Sequence, residues 1–354
     1  MIKGALLAAD IGGGTQDLLI WEPGQPVHNA VKLVLPAPTQ ILARRIRGLT
    51  AQGRPLFLGG RLMGGGAVSW AVRDHLARGF KVFASTQAAY TLNDNLKTIR
   101  QWGVILADDP PPDAARVELG DLDFEALGRL LDDYGVPRPV HFAVAVQDHG
   151  FNPEGSNRRF RFQHWENFLA GGGRLTDLAF FDPPPYFTRM LALKEQLPQA
   201  LVMDTCAAGV RGALLDPAAA PRLEEGLMVI NLGNAHTFAA LVQGDRLRGI
   251  YEHHTGLPPA KLFEQLARFQ AGRLTNDEVF ADQGHGCAYG AGYPGGPPFS
   301  FTVITGPQRR LARGWPGGVL AAPLGDMMLT GCFGLVAAFF ERHNLDVSFL
   351  HELW

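Results

Sequence analysis

Gly4-Ala-Leu-Leu-Ala-Ala-Asp10, Ile-Gly-Gly-Gly-Thr15 and Gln-Asp-Leu-Leu-Ile-Trp21 read in turn as strand, glycine turn and strand. Asp10 closes an apolar run, and three glycines follow it. Their amides can approach an anion with no side chain in the way, and Thr15 adds a hydroxyl donor. A second turn at Glu22–Gln25 and a third apolar run, Val31–Leu35, complete a meander. The pattern recurs. Leu227–Ile230 is a strand, Asn231-Leu-Gly-Asn-Ala-His-Thr237 a polar turn, and Phe238–Val242 and Leu247–Tyr251 are further strands split by Gly244-Asp245. Two copies of one unit, about 220 residues apart, predict two similar α/β domains facing each other.

Other elements fall between and after the copies. Leu56–Leu58 reads as a strand ending in Gly59-Gly60, and Gly64–Gly66 opens a helix with Val68, Val72 and Leu76 on one face. Arg61, beside that helix start, suits an anionic group, and equally the glycines there suit close packing of strand on helix. Phe124–Tyr134, Phe187–Glu195, Asp204–Leu215 and Lys261–Gln270 read as helices. His141–Val146 is a strand that runs into Gln147-Asp148-His149-Gly150. Gly284–Pro298 is a long glycine-rich loop. Phe301–Ile304 is a strand ending in Thr305-Gly306-Pro307, and Gly325–Arg342 reads as the last helix.

The 354 residues are 46% hydrophobic and 19% charged, with a net charge of −2. That excludes a disordered chain and gives no general attraction to nucleic acid or anionic lipid. The apolar run Met327–Phe340 is too short to span a bilayer. Cys206, Cys287 and Cys332 lie far apart in sequence. They form neither a disulfide scaffold nor the close triplet that an iron–sulfur cluster needs. A cytoplasmic protein without membrane or nucleic-acid partners is expected.

Asp10–Asp17 resembles the phosphate-binding hairpin of the superfamily of sugar and acetate kinases, heat-shock chaperone ATPases and actin. Leu227–Val242 is similar to its second hairpin, and Asp204-Thr-Cys-Ala-Ala-Gly-Val-Arg-Gly212 to its connecting helix. Phe301–Pro307 resembles the strand and turn that contact adenosine there. Pro323–Ala338 resembles the last helix, and His141–His149 the strand that delivers a polar residue near the γ-phosphate. Within the superfamily the chain looks like an uncharacterised family often labelled as pyruvate formate-lyase-activating enzymes.

The resemblance implies an α/β fold of two ribonuclease-H-like (actin-like ATPase) domains flanking a nucleotide cleft. They would span 1–200 and 201–354, the last helix returning toward the hinge. It implies Mg2+ at Asp10, and ATP or another nucleotide. Gly12, Gly13, Gly14 and Thr15 would cradle phosphates from one side, and Asn231, Gly233, Asn234, His236 and Thr237 from the other. Gly306 and Pro307 would lie against the nucleoside. Asp148 or His149 would orient the nucleophile. The expected activity is a Mg-nucleotide-dependent phosphotransferase or ATPase, acting on a small molecule or a protein partner that the sequence leaves open.

Departures from the pattern keep two alternatives alive. Asn231 stands where an Asp is usual, Asn234-Ala-His236 replaces a glycine pair, and Pro307 removes one amide donor. A nucleotide-binding switch with little turnover is one alternative. The other is an enzyme without ATP that uses His236, His285 and Cys287. The spacing of His236, His253-His254 and His285-Gly-Cys287 matches no zinc pattern, so scattered loop-end histidines are expected. Cys287 would be reactive if exposed beside His285. Radical chemistry on pyruvate formate-lyase does not fit the three isolated cysteines.

Overall fold

The computed structural model describes residues 2–293 and 299–350. The chain opens with β1 (Leu6–Ile11), β2 (Thr15–Trp21) and β3 (Val31–Pro36). Four short strands follow: β4 (Leu56–Gly60), β5 (Val82–Ala84), β6 (Val104–Leu106) and β7 (Ala115–Leu119). Next come β8 (His141–Val146), β9 (Ala179–Phe180) and β10 (Leu201–Met203). The last set is β11 (Leu227–Leu232), β12 (His236–Gln243), β13 (Arg246–His254), β14 (Gly286–Tyr289), β15 (Thr302–Thr305) and β16 (Gly318–Leu320).

These strands form three sheets, in the orders β3-β2-β1-β8-β10-β9, β14-β13-β12-β11-β15-β16 and β6-β5-β4-β7. In the first sheet β1, β2 and β3 pair antiparallel, and β8 and β10 then add in parallel. In the second, β11, β12 and β13 are antiparallel and β15 and β16 parallel. Both sheets thus carry the ribonuclease-H-like order, each with one extra edge strand. The small parallel sheet between β3 and β8 has its own core, built around Leu56, Leu58, Val68, Val72 and Val117. The sequence pattern pointed to β4 and the helix after it, not to β5, β6 or β7.

The pleat explains how the two copies join. On β1, Leu6 and Ala8 enter one shared core, and so do Leu227 and Val229 on β11. Their alternates face outward, into separate cores: Leu7, Ala9 and Ile11 in the first unit, Met228, Ile230 and Leu232 in the second. Two helices, Thr205–Ala213 and Thr330–Arg342, fill the shared core between the sheets. They touch backbone to backbone: a Cβ on Gly212 would overlap the Thr330 carbonyl, and one on Gly334 the Ala208 carbonyl. The last helix also packs against β1 and β8, so it returns to the first sheet. Because β10 pairs with β8, the expected division between residues 200 and 201 falls inside the first sheet. Part of the predicted Gly284–Pro298 loop is strand β14, paired with β13. Residues 294–298 of that loop lie outside the described residues. Among the described residues no helix is long and apolar enough to cross a membrane.

Candidate functional site

The two hairpins β1–β2 and β11–β12 close in the same way. Gly12 N–H donates to the Thr15 carbonyl at 2.9 Å, and Gly233 N–H to the His236 carbonyl at 2.9 Å. The N–H groups of Gly13, Gly14, Asn234 and Ala235 at the tips make no hydrogen bond among the described residues. The tips meet: a Cβ on Gly14 would stand 2.6 Å from Asn234 Nδ2, and one on Gly13 3.4 Å from the Ala235 Cβ. Beneath them lies a cavity of about 480 Å³. Asp10, Gly12–Thr15, Asp148, His149, Asn231, Gly233, Asn234, His236, Gly306 and Pro307 all line it. Of the residues expected there, Thr237 alone does not; it is buried, its hydroxyl 3.4 Å from that of Thr255. Gly64–Gly66 line the same cavity.

Asp10 and Asp17 face each other across the β1–β2 register. Each keeps one inaccessible carboxylate oxygen with no hydrogen-bond partner. Burial, then the nearby Asp17 and Asp204 carboxylates, push the Asp10 carboxyl well above the usual range. Burial raises Asp17 to about 7, opposed by a hydrogen bond with Thr15 and helped by Asp326. A Cβ on Gly331 would overlap the Asp10 carboxylate, so the last helix begins directly against it. These are two hard oxygen donors, the ligand type that Mg2+ takes. Asn231, the counterpart of Asp10, is instead wedged between Gly209 and Gly306.

Asp148 lines the cleft but its carboxylate is taken. The N–H groups of Gly150, Arg189 and Met190 donate to it at 2.9, 2.9 and 3.0 Å. Burial lifts its carboxyl to about 6 despite those bonds. It holds its own turn and the start of the Thr188–Gln196 helix, and so presents Arg189, whose guanidinium pairs with Asp121 and reaches the Gln147 carbonyl at 2.8 Å. His149 is the freer member of the pair, with Nε2 3.1 Å from His285 Nε2.

The histidines are not scattered. His236 and His254 are direct cross-strand partners on β12 and β13. His285 enters β14 beside them, its N–H donating to the Glu252 carbonyl at 3.0 Å. Antiparallel pairing brings together what sequence spacing keeps apart. Cys287 points elsewhere in chemistry: it is buried, its Sγ is 3.5 Å from the Leu274 carbonyl, and burial pushes the thiol up to about 12. The condition for a reactive Cys287, exposure beside His285, is not met.

Sequence reasoning missed Arg161. It is buried on the Asn157–Ala170 helix and bonds Asp204 at 2.7 and 3.0 Å and Glu252 at 2.7 Å. Gln147 donates to the other Glu252 oxygen at 2.7 Å. Burial alone would raise the Glu252 carboxyl, but Arg161 and then His285, His236 and His149 hold it well below the usual range.

A family model described as "Putative pyruvate format-lyase activating enzyme (DUF1786)" matches residues 63–311, well over half of the chain. No curated protein matches the sequence. Among solved structures, a Ppx/GppA family member from Aquifex aeolicus shares 13% identity, with 97% of this chain and 92% of that one covered and a TM-score of 0.30. The apo psk41 ParM protein shares 11%, with 97% and 98% covered and a TM-score of 0.37. A ROK family glucokinase from Streptomyces griseus, solved with glucose and AMPPNP, shares 13%, with 94% and 98% covered and a TM-score of 0.31.

Proposed function

The chain belongs to the DUF1786 family, and from its cleft we propose that it binds a Mg-nucleotide between the two hairpins. The observation that carries this is the doubled turn: four unbonded amides at two touching tips, above a cavity floored by a carboxylate pair. Backbone amides in tight turns make an anion nest without any cationic side chain. Asp10 and Asp17 would hold Mg2+, which lends positive charge to the phosphates when bound. Gly13, Gly14 and Thr15 would donate to phosphate oxygens from one side, Asn234 and Ala235 from the other. Gly306 and Pro307 would lie against the nucleoside. His149, not Asp148, would orient an attacking hydroxyl or water, because Asp148 has no free oxygen. The expected outcome is a phosphotransferase or ATPase.

Asn231 favours a second reading, a switch that binds nucleotide with little turnover. Its amide brings no charge to the second hairpin and is held by packing against Gly209 and Gly306. The family description does not carry over to chemistry here. Cys206 contacts Arg161, Cys332 the Asp17 carbonyl and Cys287 the Leu274 carbonyl, and the sequence holds no close triplet of cysteines of the kind an iron–sulfur cluster takes.

Thermal unfolding with Mg-ATP, Mg-ADP and neither tests the reading, beside Asp10→Ala. Nucleotide at about 100 times its Kd adds ~2.7 kcal/mol to the folded state. A Mg-dependent rise of several degrees that Asp10→Ala abolishes is expected. No rise with either nucleotide at millimolar concentration overturns it, and product analysis then separates turnover from binding where a rise occurs.

A further inference from the structure

His236, His254 and His285 form a cluster at the side of the cleft, none of them given a phosphate or Mg2+ contact in the nucleotide site proposed above. One nitrogen from each ring lies within 4.8 Å of the other two. The ring centroids are 5.3 Å apart for His236 and His254, 4.7 Å for His236 and His285, and 4.9 Å for His254 and His285. We infer that these three imidazoles bind one borderline divalent cation of the zinc class, leaving a coordination position open to the cleft.

The geometry of His285 and the carboxylates behind it support the site. His285 is buried, and its Nδ1 has no hydrogen-bond partner. Its Nε2 is already paired with His149, so Nδ1 is the nitrogen that lacks a use. A neutral imidazole offers the lone pair that a metal needs. Directly behind lies Glu252, fully buried. Arg161 is one guanidinium between two carboxylates, Glu252 and Asp204, so the wall behind the cluster carries an excess of negative charge. A cation at the imidazoles relieves that excess.

The donor set selects the ion. Imidazole suits Zn2+, Co2+, Ni2+ and Fe2+, whereas Mg2+ takes hard oxygens such as Asp10 and Asp17. A tetrahedral ion with Zn–N bonds near 2.0–2.1 Å needs nitrogens roughly 3.4 Å apart, so the rings must close by up to about 1.4 Å. The cluster has room for this at His254, which is exposed at the end of β13. Three protein ligands and one open position are the pattern of metal sites that bind or activate a small ligand. Here His236 lines the cleft, so the open position would meet an anionic oxygen of whatever the cleft holds.

Metal-stripped full-length protein titrated with Co2+, read by its visible d–d absorption, tests the inference. One equivalent with the absorption of a nitrogen-ligated, low-coordinate ion is expected, displaced by Zn2+. His254→Ala is expected to weaken binding at least 10-fold, with unchanged thermal unfolding in the absence of metal. His236→Ala repeats the test from β12 should His254→Ala fail to fold. Asp10→Ala is expected to keep the Co2+ spectrum, which separates this site from the nucleotide reading. No stoichiometric binding at micromolar Co2+, an unchanged spectrum in the histidine variants, or its loss in Asp10→Ala would each overturn it.

Discussion

Asp17→Asn should stabilise the protein, and the gain should grow with pH. Asp17 is buried against Asp10 and has one oxygen with no partner. Its carboxyl is raised from an ordinary 3.8 to about 7. The unfolded chain releases this proton first, so the folded state loses stability as pH rises between those two values and carries the whole penalty above them. At roughly 1.4 kcal/mol per pH unit, the penalty at pH 8 is ~4 kcal/mol. Asparagine fills the same space and does not ionise. Thermal unfolding of both proteins at about pH 4.5, 6 and 8 isolates the effect, because other titrating groups cancel in the difference. The variant should exceed the natural protein only slightly at the lowest pH and by several degrees at the highest. Millimolar Mg2+ should close that gap at pH 8 by stabilising the natural protein alone. A difference that stays flat with pH, or a variant less stable at pH 8, would refute the carboxylate-pair argument.

Two further substitutions follow from the same structure. Arg161→Met strands Glu252 and Asp204 as buried carboxylates and should cost about 3–5 kcal/mol at neutral pH. The deficit should shrink toward pH 4 as the carboxyls take up protons, which a thermal-unfolding pH series reads directly. Gly212→Ala forces the helices Thr205–Ala213 and Thr330–Arg342 apart where their backbones touch. Overpacking of this kind costs about 1–3 kcal/mol. It should also blunt any nucleotide-induced shift, since the second helix begins against Asp10.

The hairpins were legible because two independent signals coincide in them, a period of two and a polar glycine turn. β1, β2, β11 and β12 all lie where the repeat places them, although β12 begins at His236, inside the stretch read as a turn. The small parallel sheet was not legible, since β5 and β6 are three residues each and carry no countable alternation. Arg161 was invisible for a different reason. Its helix, Asn-Arg-Arg-Phe-Arg-Phe-Gln-His-Trp-Glu-Asn-Phe-Leu-Ala, has its polar and apolar residues spread almost evenly around the axis. The carboxylates that make burial of Arg161 tolerable lie 43 and 91 residues away. The histidine cluster required the register between β12 and β13, which spacing alone does not supply.

The two copies share a backbone and differ in chemistry at a few matched positions. Asp10 opposes Asp17 in the first hairpin, and Asn231 opposes Phe238 in the second. The first therefore sets two carboxyl groups against each other, and the second has none. Each lead residue is pressed against a glycine of a helix, Asp10 against Gly331 and Asn231 against Gly209. A carboxylate so placed stays poorly solvated, whereas an amide there is comfortable. What the second copy gains is imidazole: His236 at the start of β12, with His254 and His285 from the two strands next to it. The cleft is thus built from one fold used twice, with hard oxygen donors on one wall and nitrogen donors on the other. On the proposed readings, a ligand spanning it would meet a different kind of cation site at each side.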